Sequence, residues 1–171
     1  MPKNNPADAV ALLKADHQKV AGLFEKFESA RNNDRKKSLA DEICLELTVH
    51  TKIEEDIFYP ACKDKVDDDL WHEAYVEHDG AKVMIAEIEA GKPGDEFYNA
   101  KMKVLSEEIK HHVREEERRA EGMFVQAWAA GVDMKSLGER MLSEKKMLVA
   151  KYKETGLPKP PTSSFTGTKL A

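Results

Sequence analysis

A chain of 171 residues that is 41% hydrophobic and 35% charged is long enough to bury one sizeable core and too apolar to behave as a disordered polymer. Its formal net charge of -5 gives no electrostatic reason to approach a phosphate backbone or an anionic lipid, so neither nucleic acid nor a membrane is expected as a partner. No stretch is long and apolar enough to span a bilayer, and Met1-Pro2-Lys3-Asn4-Asn5-Pro6 lacks the apolar core of a signal peptide, which makes the cytoplasm the expected location.

Apolar residues recur at steps of three and four through most of the chain, without strand-like alternation, which predicts helix almost throughout. Asn5-Pro6 opens a first helix that Asn32-Asn33-Asp34 closes. A second runs to about residue 65, with Pro60 kinking or shortening its last turn. Asp67-Asp68-Asp69 starts a third, which ends at the turn Gly91-Lys92-Pro93-Gly94. A fourth extends from about residue 95 to residue 130, where Gly131 stops it. Asp133 caps a fifth helix reaching about residue 154, whose narrower apolar stripe (Met134, Leu137, Met141, Leu148) should pack outside the main bundle. The predicted fold is all-α: an up-down four-helix bundle with an additional C-terminal helix over residues 1–154. Residues 155–171, rich in Pro, Ser, Thr and Gly, should form a flexible, loosely held tail, and its Lys169-Leu170-Ala171 ending reads as a cloning scar. Cys44 and Cys62, if carried on one helix, lie ~27 Å apart at 1.5 Å per residue and cannot be joined. Both read as reduced core thiols.

The buried seams carry the chemistry. The first helix gives Val10, Leu13, His17, Val20, Phe24 and Phe27; the second gives Leu39, Ile43, Leu47, His50, Glu54 and Ile57. The third gives Trp71, Ala74, His78, Ala81, Ile85 and Ile88, and the fourth Tyr98, Met102, Leu105, Ile109, His112 and Glu116. One buried histidine is ordinarily a satisfied core residue. Four of them, with two carboxylates and no Lys or Arg on the inner seam, are a different matter, because unpaired buried carboxylates each cost several kcal/mol. A metal cation supplies the missing charge. Imidazole with carboxylate suits iron, zinc or manganese, whereas calcium takes oxygen ligands and structural zinc usually takes thiolates. Six side chains exceed the needs of one tetrahedral zinc and suit two adjacent ions. Pairing His17 with His50 and His78 with His112 leaves Glu54 and Glu116 to bridge, and a hydroxide or oxide between the ions would make each five-coordinate. His111 shares the spacing of His112, but it continues a polar line through Glu108 and Val104. His111, Glu115 and Glu117 therefore read as solvated or ligand-orienting residues, and His72 as a surface residue.

Asp16-His17, the run His50-Thr51-Lys52-Ile53-Glu54-Glu55-Asp56-Ile57-Phe58-Tyr59-Pro60, Glu77-His78 and His112-Val113-Arg114-Glu115-Glu116 resemble the hemerythrin-like, or HHE cation-binding, family over roughly residues 7–130. The resemblance implies a four-helix bundle binding two iron ions through His17, His50, Glu54, His78, His112 and Glu116. Ferritin-like di-iron proteins would instead show Glu-x-x-His pairs. Two positions depart from the family. Lys82 stands where the oxygen carriers have a further histidine, which removes one imidazole, and no Phe-Pro follows the acids of the fourth helix.

Open coordination on a reduced di-iron centre invites a small diatomic or peroxide ligand: dioxygen, nitric oxide or hydrogen peroxide. Loss of one imidazole disfavours efficient oxygen transport and favours sensing or scavenging. The alternatives are a di-iron oxidase or peroxide-decomposing enzyme and an iron buffer. Manganese or zinc are the lesser choices of metal, and the chain is expected to be a monomer or small homo-oligomer. Neither a Ser/His/Asp constellation nor a Gly-rich phosphate loop is present.

Overall fold

The computed structural model describes residues 8–159 and 161–167. The Asn5-Pro6 opening and the Lys169-Leu170-Ala171 ending lie outside these residues. Asp8 caps α1 (Ala9–Ser29) by accepting the N–H groups of Val10 and Ala11, satisfying two donors that the first helical turn leaves free. Asn32 does not close α1; it caps α2 (Asn33–Ile53) by accepting from Arg35 N–H. Past Ile53 the helix widens into one π turn over Glu54–Phe58, then closes as α3 (Tyr59–Cys62). Asp67 caps α4 (Asp68–Ala90), as the acidic run predicts. α5 (Tyr98–Glu117), α6 (Met123–Ala129) and α7 (Met134–Thr155), the last capped by Asp133, complete the chain. The described residues contain no strand, and no helix among them is long and apolar enough to cross a membrane.

α1 packs on α2, α2 on α4, α4 on α5, and α5 back on α1, which closes the bundle. Short connections make consecutive helices antiparallel. The buried apolar residues fall into two clusters. One is built around Leu13, Ile53, Phe58 and Met123, the other around Val20, Ile43, Ile85 and Leu105. On each seam the histidine falls where one cluster gives way to the other, so a polar layer crosses the middle of the bundle. α7 lies outside the four helices, against α1 and α2, and buries Met134, Leu137, Met141, Leu148 and Tyr152. That second neighbour is why α1 also buries Ala9, Leu12, Asp16 and Leu23, beside the seam facing the bundle. Both cysteines are buried and unpaired. Burial pushes the Cys62 thiol up to about 12 and raises Cys44 further, the behaviour of inert core thiols.

A further expectation is corrected. The fourth bundle helix does not run to residue 130; it stops at Glu117, and residues 118–122 turn the chain back so that α6 buries Met123, Phe124 and Ala127. Gly122 permits the turn. Its N–H donates to Arg118 O (2.9 Å), and a Cβ there would meet Arg118 O at 2.5 Å and Arg118 N and Glu116 O at 2.6 Å. Residues 163–165 of the C-terminal segment also have partners in the bundle. The buried Asp79 carboxylate accepts the N–H groups of Ser163, Ser164 and Phe165 and the Ser164 hydroxyl.

Because all three clashing atoms at Gly122 are backbone, Gly122→Ala must displace the end of α5. It should cost about 2 kcal/mol, a fall of roughly 6 °C in melting temperature, read by thermal denaturation. An unchanged melting temperature would refute this account of the turn.

Candidate metal centre

Each histidine named from the seams is buried, and so are both glutamates. Helical periodicity places them at one level: His17 from α1, His50 from α2, His78 from α4, and His112 with Glu116 from α5, the last pair one turn apart. Glu54 opens the π turn. The Nε2 atoms meet in two pairs, His17 with His50 at 3.2 Å and His78 with His112 at 3.1 Å. Glu54 Oε2 lies 3.2 Å from both His50 Nε2 and His78 Nε2, so one oxygen touches both pairs. Glu116 spans them with two oxygens, Oε2 at 3.3 Å from His17 Nε2 and Oε1 at 3.4 Å from His112 Nε2. The six candidates thus form two overlapping clusters of potential ligand atoms, His17, His50, Glu54 and Glu116 in one and Glu54, His78 and His112 in the other.

The outer nitrogens fix the protonation pattern. Nδ1 of His17 faces Glu117 (2.6 Å), that of His50 faces Asp16 (3.3 Å), that of His78 faces Glu55 (3.1 Å) and that of His112 faces Glu77 (2.5 Å). An ionised carboxylate only accepts, so each Nδ1 carries the proton and each neutral ring turns its Nε2 lone pair inward. Lone pairs therefore face lone pairs across both histidine pairs, with carboxylate oxygens between them. Glu54 Oε1 and Glu116 Oε2 are buried with no hydrogen-bond partner among the described residues. Such an arrangement needs positive charge at its centre. In the metal-free protein, protons meet that need. Burial opposes the charging of His50, but Glu54 and Asp16 outweigh it and push the imidazole up to about 10. Burial is likewise overcome at His17 by Glu116 and Glu117, and at His112 by Glu116 and Glu77, so both imidazoles are raised. Burial and the Glu116 charge push Glu54 up, yet His50 and His78 hold it below its ordinary value; His112 and His17 hold Glu116 well below, again against burial.

Tyr59 belongs to the same cluster, and the seam pattern misses it. Its buried hydroxyl lies 2.8 Å from Glu116 Oε1, 3.3 Å from Glu54 Oε2, 3.1 Å from His78 Nε2 and 3.3 Å from His112 Nε2. Burial, then Glu116 and Glu54, raise the phenol well above its usual range. In a regular α-helix the residue five after Glu54 leaves the seam. Here Tyr59 N–H bonds to Glu54 O, the i to i−5 bond of a π turn, which keeps Tyr59 on the inward face. The sequence signal was Pro60, which lacks an N–H and whose ring crowds the preceding turn of a regular helix.

The remaining residues take outer places. Glu117 orients His17, as one of the two readings of that residue allowed. His111 is half exposed and lies 3.1 Å from Glu77, which also holds His112. Glu115 pairs with Arg118, and His72 is exposed against Trp71. The ammonium of Lys82 turns away from the imidazoles to Glu55 (2.9 Å) and Asp79 (3.1 Å). The Tyr59 oxygen stands beside His78 and His112, on the side of the cluster away from His17 and His50. Phe124, carried in by the turn at Gly122, stacks parallel to His17, with ring centroids 6.0 Å apart.

Several known proteins are similar to this chain in fold or in sequence. The fold matches the crystal structure of a hemerythrin HHE cation binding domain-containing protein from Mycobacterium kansasii, an Rv2633c homolog, with a TM-score of 0.72 and 24% identity over 88% of this chain and 94% of that one. In sequence, a DNA nickase of Nostoc sp. is 26% identical over 62% of this chain and 30% of its own length. The uncharacterized protein Rv2633c of Mycobacterium tuberculosis is 38% identical over 32% of this chain and 34% of its own. The matched regions thus span about a third of the length of these curated relatives. Residues 8–124 match the model of the hemerythrin HHE cation binding domain, and they include all six seam candidates and Tyr59. With that match over most of its length, and with the histidine and glutamate layer it brings together, the chain belongs to the hemerythrin HHE cation-binding domain family.

Proposed function

We propose that this protein is a non-haem di-iron protein that binds or senses a small diatomic or peroxide, with dioxygen, nitric oxide and hydrogen peroxide as candidate ligands. The observation carrying the reading is the pair of facing Nε2 couples bridged by Glu54 and Glu116, a donor set for two adjacent cations that nitrogen and carboxylate ligands suit to iron,. His17 and His50 would hold one ion, His78 and His112 the other, and the Tyr59 oxygen would add a donor on the second side. In the ferrous state, two neighbouring irons held there would supply the electrons that a diatomic accepts.

What the chain contributes is orientation and exclusion. Asp16, Glu55, Glu77 and Glu117 lock the four rings by their Nδ1 protons, so the Nε2 atoms are positioned before any ion arrives. Next to them is a cavity of about 10 Å³ walled by Val20, Leu47, Ile109 and Val113 as well as the imidazoles, room for roughly one water-sized molecule. A groove of about 480 Å³ between α1 and α5 reaches the same Ile109, Val113 and His17 and is mostly apolar, an approach suited to small neutral molecules. The size and lining of the cavity favour a diatomic or peroxide over a larger substrate. Deep burial of every candidate ligand disfavours an iron buffer, which must release its metal readily.

Metal analysis of the purified protein should give two irons per chain. If the centre is a reversible binder, dioxygen or nitric oxide should produce a visible band that vacuum removes; a peroxide-decomposing enzyme would instead consume many equivalents of peroxide per site. Substoichiometric iron with neither behaviour would defeat the proposal.

A ferric centre ligated by the Tyr59 oxygen should show a phenolate-to-iron charge-transfer band. Tyr59→Phe should remove that band while leaving both irons bound, and a spectrum identical to the parent would place the phenol outside the coordination sphere.

The pH dependence of stability should differ between the two forms. In the metal-free protein the raised imidazoles add stability that is fully present below their unfolded value of 6.5 and is lost as pH rises, for His50 through about 10,. The lowered Glu54 and Glu116 act oppositely: their contribution is present above 4.5 and is lost as pH falls. Metal must displace the imidazole protons, so acid weakens binding. Chelated protein should therefore lose melting temperature between pH 7 and 10, and the metal-loaded protein should gain its largest advantage over it there. Parallel melting curves for the two forms across that range would contradict the assignment.

A further inference from the structure

A second cavity, of about 570 Å³, lies outside the histidine layer. Its size is that of a small-molecule site. The chain itself builds a roof over it. Gly156, with φ +80 at the end of α7, turns the backbone in a conformation that disfavours a side chain. The segment beyond carries Leu157 and Pro158 across the opening. Its far end is tied down at Asp79, whose buried carboxylate accepts three backbone N–H groups and the Ser164 hydroxyl, and at Lys82, which donates to Pro161 O (3.1 Å). The roof is thus anchored on a buried ion pair.

The lining has two characters. Tyr75, Ile85, Leu157 and Pro158 supply the apolar part of the lining. Four lysines, Lys52, Lys82, Lys151 and Lys159, surround it against only Glu55 and Asp56. Lys82 is matched by Glu55 and Asp79, and Lys52 by Asp56. Lys151 and Lys159 have no carboxylate within ion-pairing distance among the described residues. In a chain of net charge -5, two exposed, unmatched cations in the lining of a half-apolar cavity form a local positive field,. We propose that this cavity is a binding site for a small monocarboxylate with an apolar body, its hydrocarbon part against the apolar lining and its carboxylate between Lys151 and Lys159. Inorganic anions would leave the apolar lining uncovered and neutral apolar molecules would leave the lysines unmatched. Glu55, which orients His78, forms part of the wall, so the site adjoins the metal centre without sharing its proposed ligands.

Isothermal titration of the full chain with octanoate, 1-octanol and inorganic phosphate tests the proposal. Octanoate should bind at one per chain with a Kd below about 1 mM, and 1-octanol and phosphate should each bind at least tenfold more weakly. The double variant Lys151→Ala, Lys159→Ala alters two exposed side chains and should fold normally while binding octanoate about tenfold less tightly. Absence of octanoate binding, equal binding of octanol or phosphate, or a double variant that binds octanoate like the parent would each overturn it.

Discussion

Four imidazole lone pairs and two carboxylates directed at one another in the middle of a helical bundle are unfavourable unless a positive charge sits among them. Much of the molecule is arranged around that constraint. The apolar core cannot run continuously along the bundle, so it divides into two clusters with the polar layer between. The four outer carboxylates hold the rings so that the lone pairs cannot turn away. Some of those carboxylates are themselves secured from further out. Asp16 is met by Lys145 of α7 and Glu55 by Lys82 of α4. Imidazole, carboxylate and lysine therefore form successive layers, and α7, which looks dispensable to a four-helix bundle, anchors the outermost layer on one side.

The π turn at Glu54–Phe58 solves a local problem with consequences at the centre. A proline in a continuing helix removes one donor and crowds the turn before it. Widening that turn accommodates Pro60 and changes the register of everything after Glu54, so that Glu54 and Tyr59 point inward together. On α4, the position one turn past His78 is Lys82, buried and paired with Glu55 and Asp79, and no second imidazole reaches the centre from that helix. The phenol oxygen stands beside His78 and His112 instead. The two sides of the centre thus differ in donor chemistry, although the six seam residues alone describe a near-symmetric set.

The parts of this arrangement that follow regular helical periodicity were legible in the sequence. His17, His50, His78, His112, Glu54 and Glu116 were found because each lies on an apolar seam, where a three- and four-residue step is enough to decide which way a side chain faces. The α4 start at Asp67 and the α7 start at Asp133 were legible for a similar local reason, an acid that accepts from the first turn. Tyr59 was not, because its position depends on a change of helical pitch that no period of 3.6 can represent. The end of α5 was missed because residues 118–121 read as one more polar helical stretch, and the constraint on Gly122 comes from backbone atoms that only the folded turn brings close.

The contacts of residues 163–165 lie beyond what composition can register for a related reason. Composition measures whether a segment can bury its own apolar surface, and residues 155–171 cannot. It does not register that a carboxylate elsewhere lacks partners. Asp79 is fully buried on α4, immediately after a histidine of the central layer, and Lys82 alone leaves much of its accepting capacity unused. Consecutive N–H groups from Ser163 to Phe165 complete it, so a buried acid in the bundle specifies where the tail rests. The dependence runs both ways, because the segment that satisfies Asp79 also places Pro161 over Lys82 and Ser163 beside Glu55. Lys82 and Glu55 in turn hold His78, which makes the C-terminal segment part of the same chain of polar contacts that begins at the Nε2 atoms.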